Sequence, residues 1–176
     1  MTVPGALEVI SSLSRSHPEL IVGGGTILDI PTAQRCIDSG AAFITSPGLD
    51  LEIVEFAIKE KVVVFPGAMT PSEIMSAWKA GADLVKIFPS ATLGGPAYFR
   101  TLKLPFPTIP LIAAGGVNQV NAADYIQAGA TALGIGRDLI QPRAVARREG
   151  GWIRELSYRY LKMVREERSN GLPVKS

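Results

Sequence analysis

Six short apolar runs, each ending at once in glycine, proline or serine, recur along the 176 residues and constrain the fold more than any other feature. "LIVGGGT" ends at Thr26, "AFITSPG" at Gly48, "VVVFPGA" at Ala68, "LVKIFPS" at Ser90, "PLIAAGG" at Gly116 and "ALGIGRD" at Asp138. A run of that length closed by turn residues reads as a strand followed by a sharp turn. The segments between the runs have helical character. In "TPSEIMSAWKAG", Thr70 caps, Pro71 opens the helix and Glu73 completes a capping box. Gly40, Gly81 and Gly129 stand where a left-handed residue would stop a helix before the next strand.

Strand–helix units about 20 to 26 residues apart imply parallel strands with helical crossovers. A closed barrel is favoured over an open doubly wound sheet. Nearly every unit places its turn residues at the C-terminal end of the strand, as a ring of active-site loops requires, whereas an open sheet concentrates them at one switch point. The fold class is therefore α/β, of the (β/α)8 TIM-barrel type. The count falls short, since such a barrel takes about 250 residues. Six units are plain, and "MTV" before "PGALEVISSLSR" reads as the stub of a further strand. The expectation is an N-terminally truncated barrel, or a chain begun at an internal methionine. One domain spans 1–168, with a flexible tail over 169–176.

Charge and composition exclude several functions. A net charge of +2 is too small to imply a nucleic-acid partner. Half of the Lys and Arg residues lie between Arg143 and Lys175, among glutamates and apolar residues such as Trp152, Leu156, Tyr160 and Leu161. That mixture reads as an amphipathic surface helix. No apolar run approaches a membrane span, and the single cysteine, Cys36, suits a reducing cytoplasm. One histidine, His17, sits in a helix-to-strand loop, so neither a metal site nor a Ser–His–Asp triad can be assembled at the strand ends. No cofactor is expected, and "VGGGT" fits neither a P-loop nor a dinucleotide fingerprint.

Lys86 carries the chemistry. In a strand, Leu84, Lys86 and Phe88 share one face while Val85 and Ile87 share the other. Asp83 is at the far end of the run and on the opposite face. Burial disfavours the ammonium form of such a lysine and leaves a free amine able to form a Schiff base with a carbonyl. Gly115 and Gly116 follow one strand, and Gly134, Gly136 and Arg137 follow or end the next. Glycines after the last two strands of a barrel leave backbone amides at helix N-termini as a phosphate cradle, and Arg137 can add a charge-assisted contact. An imine-forming lysine with a phosphate cup points to a metal-independent aldolase acting on a small phosphorylated keto sugar acid.

"IVGGGTILD", "FITSPGLD", "PGAMTPSEI", "VKIFPS" and "AAGGVN", in this order and spacing, resemble the 2-keto-3-deoxy-6-phosphogluconate (KDPG) / 4-hydroxy-2-oxoglutarate (KHG) aldolase family from Val3 to Ile140. The resemblance implies a homotrimer that cleaves KDPG to pyruvate and glyceraldehyde 3-phosphate, or KHG to pyruvate and glyoxylate, through an imine. Lys86 matches the imine lysine, Thr26 and Pro47 line the pyruvate end, and Phe88 packs beside the lysine. Gly115, Gly116 and the Gly136–Arg137 turn match the phosphate loops. Three departures stand out. The family's glutamate base, three residues before the position of Met1, is not in this sequence. Ala114 replaces a threonine of the carboxylate pocket, and Arg137 replaces a serine. The Ala114 change leans towards relatives that cleave the galactonate epimer. Other classes are a phosphosugar isomerase or thiamine-phosphate-synthase-like barrel, and a catalytically impaired remnant.

Overall fold

A computed structural model describes residues 1–171. The chain forms two compact units, Met1–Phe88 and a second that begins at Pro89. The first holds α1 (Ala6–Ser16), β1 (Gly23–Gly25), α2 (Ile30–Asp38), β2 (Phe43–Thr45), α3 (Leu51–Lys59), β3 (Val63–Phe65), β4 (Gly67–Ala68), α4 (Pro71–Lys79) and β5 (Val85–Ile87). The second holds α5 (Gly95–Lys103), β6 (Leu111–Ala114), α6 (Ala122–Gln127), β7 (Ala132–Gly134), α7 (Pro142–Ala146) and α8 (Gly150–Gly171).

Within the first unit β1 pairs with β2, β2 with β3, and β4 with β5; within the second β6 pairs with β7. Every one of these pairings is parallel, because a helix intervenes between the paired strands and returns the chain to the same end. Each of the six apolar runs contributes a strand, and "VVVFPGA" contributes two. Pro66 breaks that run: it has no N–H to give to a ladder, and its carbonyl accepts from Lys86 N at 2.9 Å. Thus β3 pairs with β2 on one side of the proline, and β4 pairs with β5 on the other.

Local chemistry sets the helix boundaries. The Asp29 side chain accepts from Thr32 N at 2.6 Å at the start of α2, and Asp50 accepts from Glu52 N and Ile53 N at 3.0 and 3.2 Å at the start of α3. At α4 the capping box is complete: Glu73 N donates to Thr70 Oγ1 at 3.3 Å, and Thr70 N donates to Glu73 Oε2 at 2.8 Å. Helices α2, α4 and α6 stop at Gly40, Gly81 and Gly129, with φ of 95°, 93° and 95°. In each case the residue after the glycine donates back to a carbonyl of the last turn, as Ala41 N does to Cys36 O at 3.0 Å. The helix-facing side of the strands is dry: Ile44, Val64, Val85, Ile87 and Leu111 are almost fully buried.

Two expectations need correction. Residues 1–3 form no strand. The Met1 ammonium donates to the carbonyls of Gly25 and Thr26, and Pro4 and Gly5 turn the chain into α1. The basic stretch from Arg143 is two helices, α7 and α8, separated at Arg148, which adopts φ 54°. The buried face of α8 is narrow: Leu156 and Tyr160 are buried, whereas Trp152 and Leu161 are exposed. Trp152 is instead covered by Arg159, whose guanidinium carbon lies 5.9 Å from the ring centroid. Helix α8 runs through Gly171, and residues 172–176 of the expected tail lie outside the described residues.

The capping box makes a direct prediction. Thr70→Ala lowers stability by about 1 kcal/mol, the usual cost of losing an N-cap hydroxyl, read as a lower urea midpoint with an unchanged slope.

Candidate active site

In the first unit, β5 presents Lys86 on one face while Val85 and Ile87, both fully buried, hold the other against the helices. Alternation alone fixes that direction. Lys86 stands opposite Gly67 of β4 in the parallel register. Gly67 has no side chain to crowd the amine, and none could be added: a Cβ there would lie 2.1 Å from the carbonyl oxygen of Pro47. The absence of a side chain lets the turn after β2, which carries Pro47, lie directly on β4. Gly67 was not among the site residues expected from the sequence, although it sits inside the quoted "PGAMTPSEI".

Lys86 makes no ion pair among the described residues. Asp83, three residues earlier, faces away, and its Oδ2 accepts from Val64 N at 2.9 Å. The Phe88 ring lies beside it, with its centroid 5.0 Å from Lys86 Nζ. Burial without a counter-ion holds the ammonium below the ordinary lysine range, so the neutral amine, which is the nucleophile, is more populated than in a solvated lysine.

Thr26 and Pro47 follow β1 and β2 in the same unit. Thr26 adopts φ 57°, a left-handed conformation that a β-branched residue rarely takes, at a cost on the order of 1–2 kcal/mol. That fixes the turn at the end of β1, and the Thr26 side chain is half-buried. Nearby, Thr45 Oγ1 donates to Phe65 O at 2.7 Å, and the rings of Phe43 and Phe65 stack with centroids 4.9 Å apart.

The second unit carries the glycine turns. Ala114, buried at the end of β6, pairs with Gly134 of β7. A Cβ at Gly134 would come within 2.9 Å of the Ala114 methyl, so the two strand ends are matched in size. The chain after Pro89 then fixes the turn that follows. Ser90 N donates to Ala114 O at 2.7 Å, Ala91 N donates to Gly115 O at 3.0 Å, and Asn121 Nδ2 donates to Gly116 O at 3.0 Å. Gly115 and Gly116 adopt φ of 81° and 87°. With their carbonyls tied, their amides are left without protein acceptors among the described residues, and such paired amides suit an anion. A Cβ at Gly116 would meet that of Ala91 at 2.4 Å.

The expected placement of these amides at a helix N-terminus is not what the structure has. Helix α6 starts only at Ala122, and the donors just before it, Val120 N and Asn121 N, are taken by Asn118 Oδ1 at 2.9 and 3.2 Å. Any anion contact here comes from the turn amides rather than a helix end. Beyond β7, the carbonyl of Gly136 accepts from Leu139 N and Ile140 N at 3.0 and 2.9 Å. Arg137 is exposed and makes no ion pair among the described residues. Two groups that sequence reasoning passed over support these turns. Ser90 and Tyr125, both fully buried, share a hydrogen bond of 3.0 Å under Gly115, and Tyr160 donates to Asp138. Their signal was only that of polar atoms on otherwise buried positions.

The family model for KDPG and KHG aldolase matches residues 1–156. The chain is 37% identical over 164 residues to the 2-dehydro-3-deoxy-phosphogluconate aldolase of Pseudomonas aeruginosa, covering 92% of this chain and 74% of that protein. It is 36% identical over 120 residues to the 2-dehydro-3-deoxy-6-phosphogalactonate aldolase of Escherichia coli, covering 68% of this chain and 58% of that one. The chain thus spans less than two thirds of the length of several curated relatives it matches. Among solved structures, the KDPG aldolase of Legionella pneumophila, with pyruvate captured as a covalent carbinolamine, superposes with a TM-score of 0.83 at 25% identity, over 89% of this chain and 76% of that one. A thiamine phosphate pyrophosphorylase from Pyrococcus furiosus, at 18% identity and a TM-score of 0.70 over 94% of this chain and 80% of that one, shares the fold alone. With an α/β fold of the TIM-barrel type and a family match across most of its length, the chain belongs to the KDPG and KHG aldolase family.

Proposed function

We propose that the chain is a class I aldolase, in which Lys86 forms an imine with the ketone of a 2-keto-3-deoxy-6-phospho sugar acid, or of 4-hydroxy-2-oxoglutarate. The observation that carries this reading is a half-buried amine with no carboxylate partner, aimed away from the helices at a strand position kept open by Gly67. The neutral Nζ attacks the keto carbon to give a carbinolamine, and loss of water leaves the protonated imine. The imine then accepts the electron pair of the C3–C4 bond as the C4 hydroxyl gives up its proton. C4 departs as an aldehyde, glyceraldehyde 3-phosphate or glyoxylate. Protonation of the resulting enamine at C3 and hydrolysis release pyruvate and the free lysine.

Thr26, Pro47, Phe88 and Ala114 are the groups assigned to the pyruvate portion, by their match to the family's positions. Gly115, Gly116, Gly136 and Arg137 are assigned to the phosphate, a role that the unpartnered turn amides and the unpaired guanidinium support. The small Ala114 and the likeness to a phosphogalactonate aldolase make the galactonate epimer a substrate to assay beside the gluconate one. A homotrimer is the assembly this reading carries from the family resemblance, and sedimentation tests it. A cytoplasmic location suits the one cysteine, Cys36, which is buried and unpaired. No helix among the described residues is long and apolar enough to cross a membrane.

Borohydride added with pyruvate should leave a covalent pyruvate-derived mass on the peptide containing Lys86, and Lys86→Ala should abolish it. Equal labelling of the Lys86→Ala protein would overturn the assignment.

The depressed Lys86 pKa gives two further outcomes. The trapping rate, plotted against pH, should reach its plateau below the value of about 10.4 at which a solvated lysine titrates. The unfolded chain binds this proton more tightly than the folded one, so this site's contribution to stability is unfavourable below the folded pKa and disappears as pH rises through the unfolded one. Lys86→Met should therefore raise the thermal midpoint at neutral pH, with the gain shrinking towards pH 10.

A further inference from the structure

We infer that Tyr160, on α8 beyond the residues matching the family model, is a positioning residue for the Gly136–Arg137 turn: it holds the Asp138 carboxylate, fixing the turn and keeping that carboxylate from the neighbouring Arg137 guanidinium. The inference rests on Arg137 and the turn after β7 contacting substrate phosphate.

The turn has little else to hold it. Nothing lies within 4 Å of where a Cβ at Gly136 would sit, so nothing packs against the turn on that side. Its internal bonds are those of Leu139 N and Ile140 N to Gly136 O, and of Gln141 Nε2 to Asp138 O at 3.3 Å. The side-chain tie to the rest of the unit is the bond that the Tyr160 hydroxyl donates to Asp138 Oδ2. Tyr160 is only 4% exposed, so its phenol is a fixed point rather than a mobile surface group.

The helix that carries Tyr160 is itself anchored within the second unit. Leu156 is fully buried, Gln127 Nε2 of α6 donates to Glu167 Oε2 at 2.8 Å, and Arg168 Nη2 donates to Thr131 O at 2.6 Å. Thr131 stands immediately before β7, and Asp138 follows it. Helix α8 thus grips the chain on both sides of the strand whose end forms the turn.

The electrostatics make the tie matter. Arg137 and Asp138 are adjacent in sequence, and a free carboxylate beside the guanidinium would compete with an incoming anion. A bond from a neutral phenol occupies the Asp138 oxygen without bringing a positive charge. Burial and the Asp138 bond push the Tyr160 phenol well above its ordinary range, so it stays a donor at every pH of interest.

The test uses inorganic phosphate and the full chain, by calorimetric titration at fixed low salt. Tyr160→Phe should weaken phosphate binding about fivefold, the scale of losing one charge-assisted hydrogen bond at one remove. Tyr158→Phe, on the exposed side of the same helix, is the control and should bind as the parent does. Asp138→Asn keeps an oxygen for the phenol while removing the charge, and should bind phosphate at least as tightly as the parent. A merely structural tie gives no reason for that retention or gain. Unchanged phosphate affinity in Tyr160→Phe, or Asp138→Asn weakened as much as Tyr160→Phe, overturns the inference. If Tyr160→Phe does not fold, Asp138→Asn decides alone. Parent protein that binds phosphate but is not labelled at Lys86 refutes the aldolase reading and leaves this inference standing; parent protein that binds no phosphate overturns it.

Discussion

The chemistry proposed for this chain depends on leaving one amine without a partner. A lysine in a strand ordinarily finds a carboxylate or runs its stem out to water. Here both routes are closed by neighbours that have other commitments. Val85 and Ile87 are fully buried on the helix side and lock the direction of Lys86. Asp83, the nearest acid in the chain, bonds the backbone of β3 through Val64 N. What remains beside the amine is the face of Phe88 and the bare backbone of Gly67. The first stabilises an ammonium only weakly, and the second takes up no space, so desolvation dominates and favours the neutral form.

The glycine turns of the second unit follow a related logic, with backbone in place of side chain. At Gly115 and Gly116 the carbonyls are tied by Ala91 N, the Asn121 amide and, at 3.4 Å, the Ser90 hydroxyl. Tying the acceptors of a turn while its residues sit at positive φ is what frees the amides for a ligand. Small residues are required throughout: the Cβ contacts that a side chain would make at Gly116 and Gly134 are shorter than real ones. The phosphate contact proposed here needs no helix end, and α6 does not supply one.

Much of the architecture was legible because it rests on short-range rules. The runs that end at Gly48, Ser90 and Gly116, the capping box at Thr70 and the stops at Gly40, Gly81 and Gly129 are each decided within about five residues, and all appear where the sequence placed them. The direction of Lys86 followed from alternation alone. What the sequence hid depends on partners far along the chain. "VVVFPGA" reads as one strand, yet Pro66 divides it between two pairings, a choice made by Phe43 to Thr45 on one side and Val85 to Ile87 on the other. "MTV" has the composition of a strand but joins no ladder among the described residues. The inward face of α8 selects Leu156 and Tyr160 over Trp152 and Leu161, which helical periodicity narrows but packing decides. The reach of Tyr160 to Asp138, 22 residues back, had no local signal at all.

The distribution of carboxylates explains why the amine would have to carry so much of the proposed reaction. The acids that follow the strands are already engaged as structural acceptors. Asp29 after β1 and Asp50 after β2 cap the helices that come next, and Glu73 after β4 closes the box on Thr70 and also accepts from Met69 N at 2.8 Å. The bonds from Thr32 to Asp29, and the backbone bond from Met69 to Glu73 with those of Thr70, hold both carboxyls below their ordinary range. A carboxylate stabilised in this way is a weaker base, and accepting a proton would cost it the helix cap. Asp138 is engaged by Tyr160 in the second unit. Engagement at the starts of α2, α3 and α4 therefore withdraws these acids from proton transfer. In the proposed reaction it leaves bond cleavage to depend on the imine as electron sink and on a proton acceptor that none of these capping groups can provide without loosening the fold.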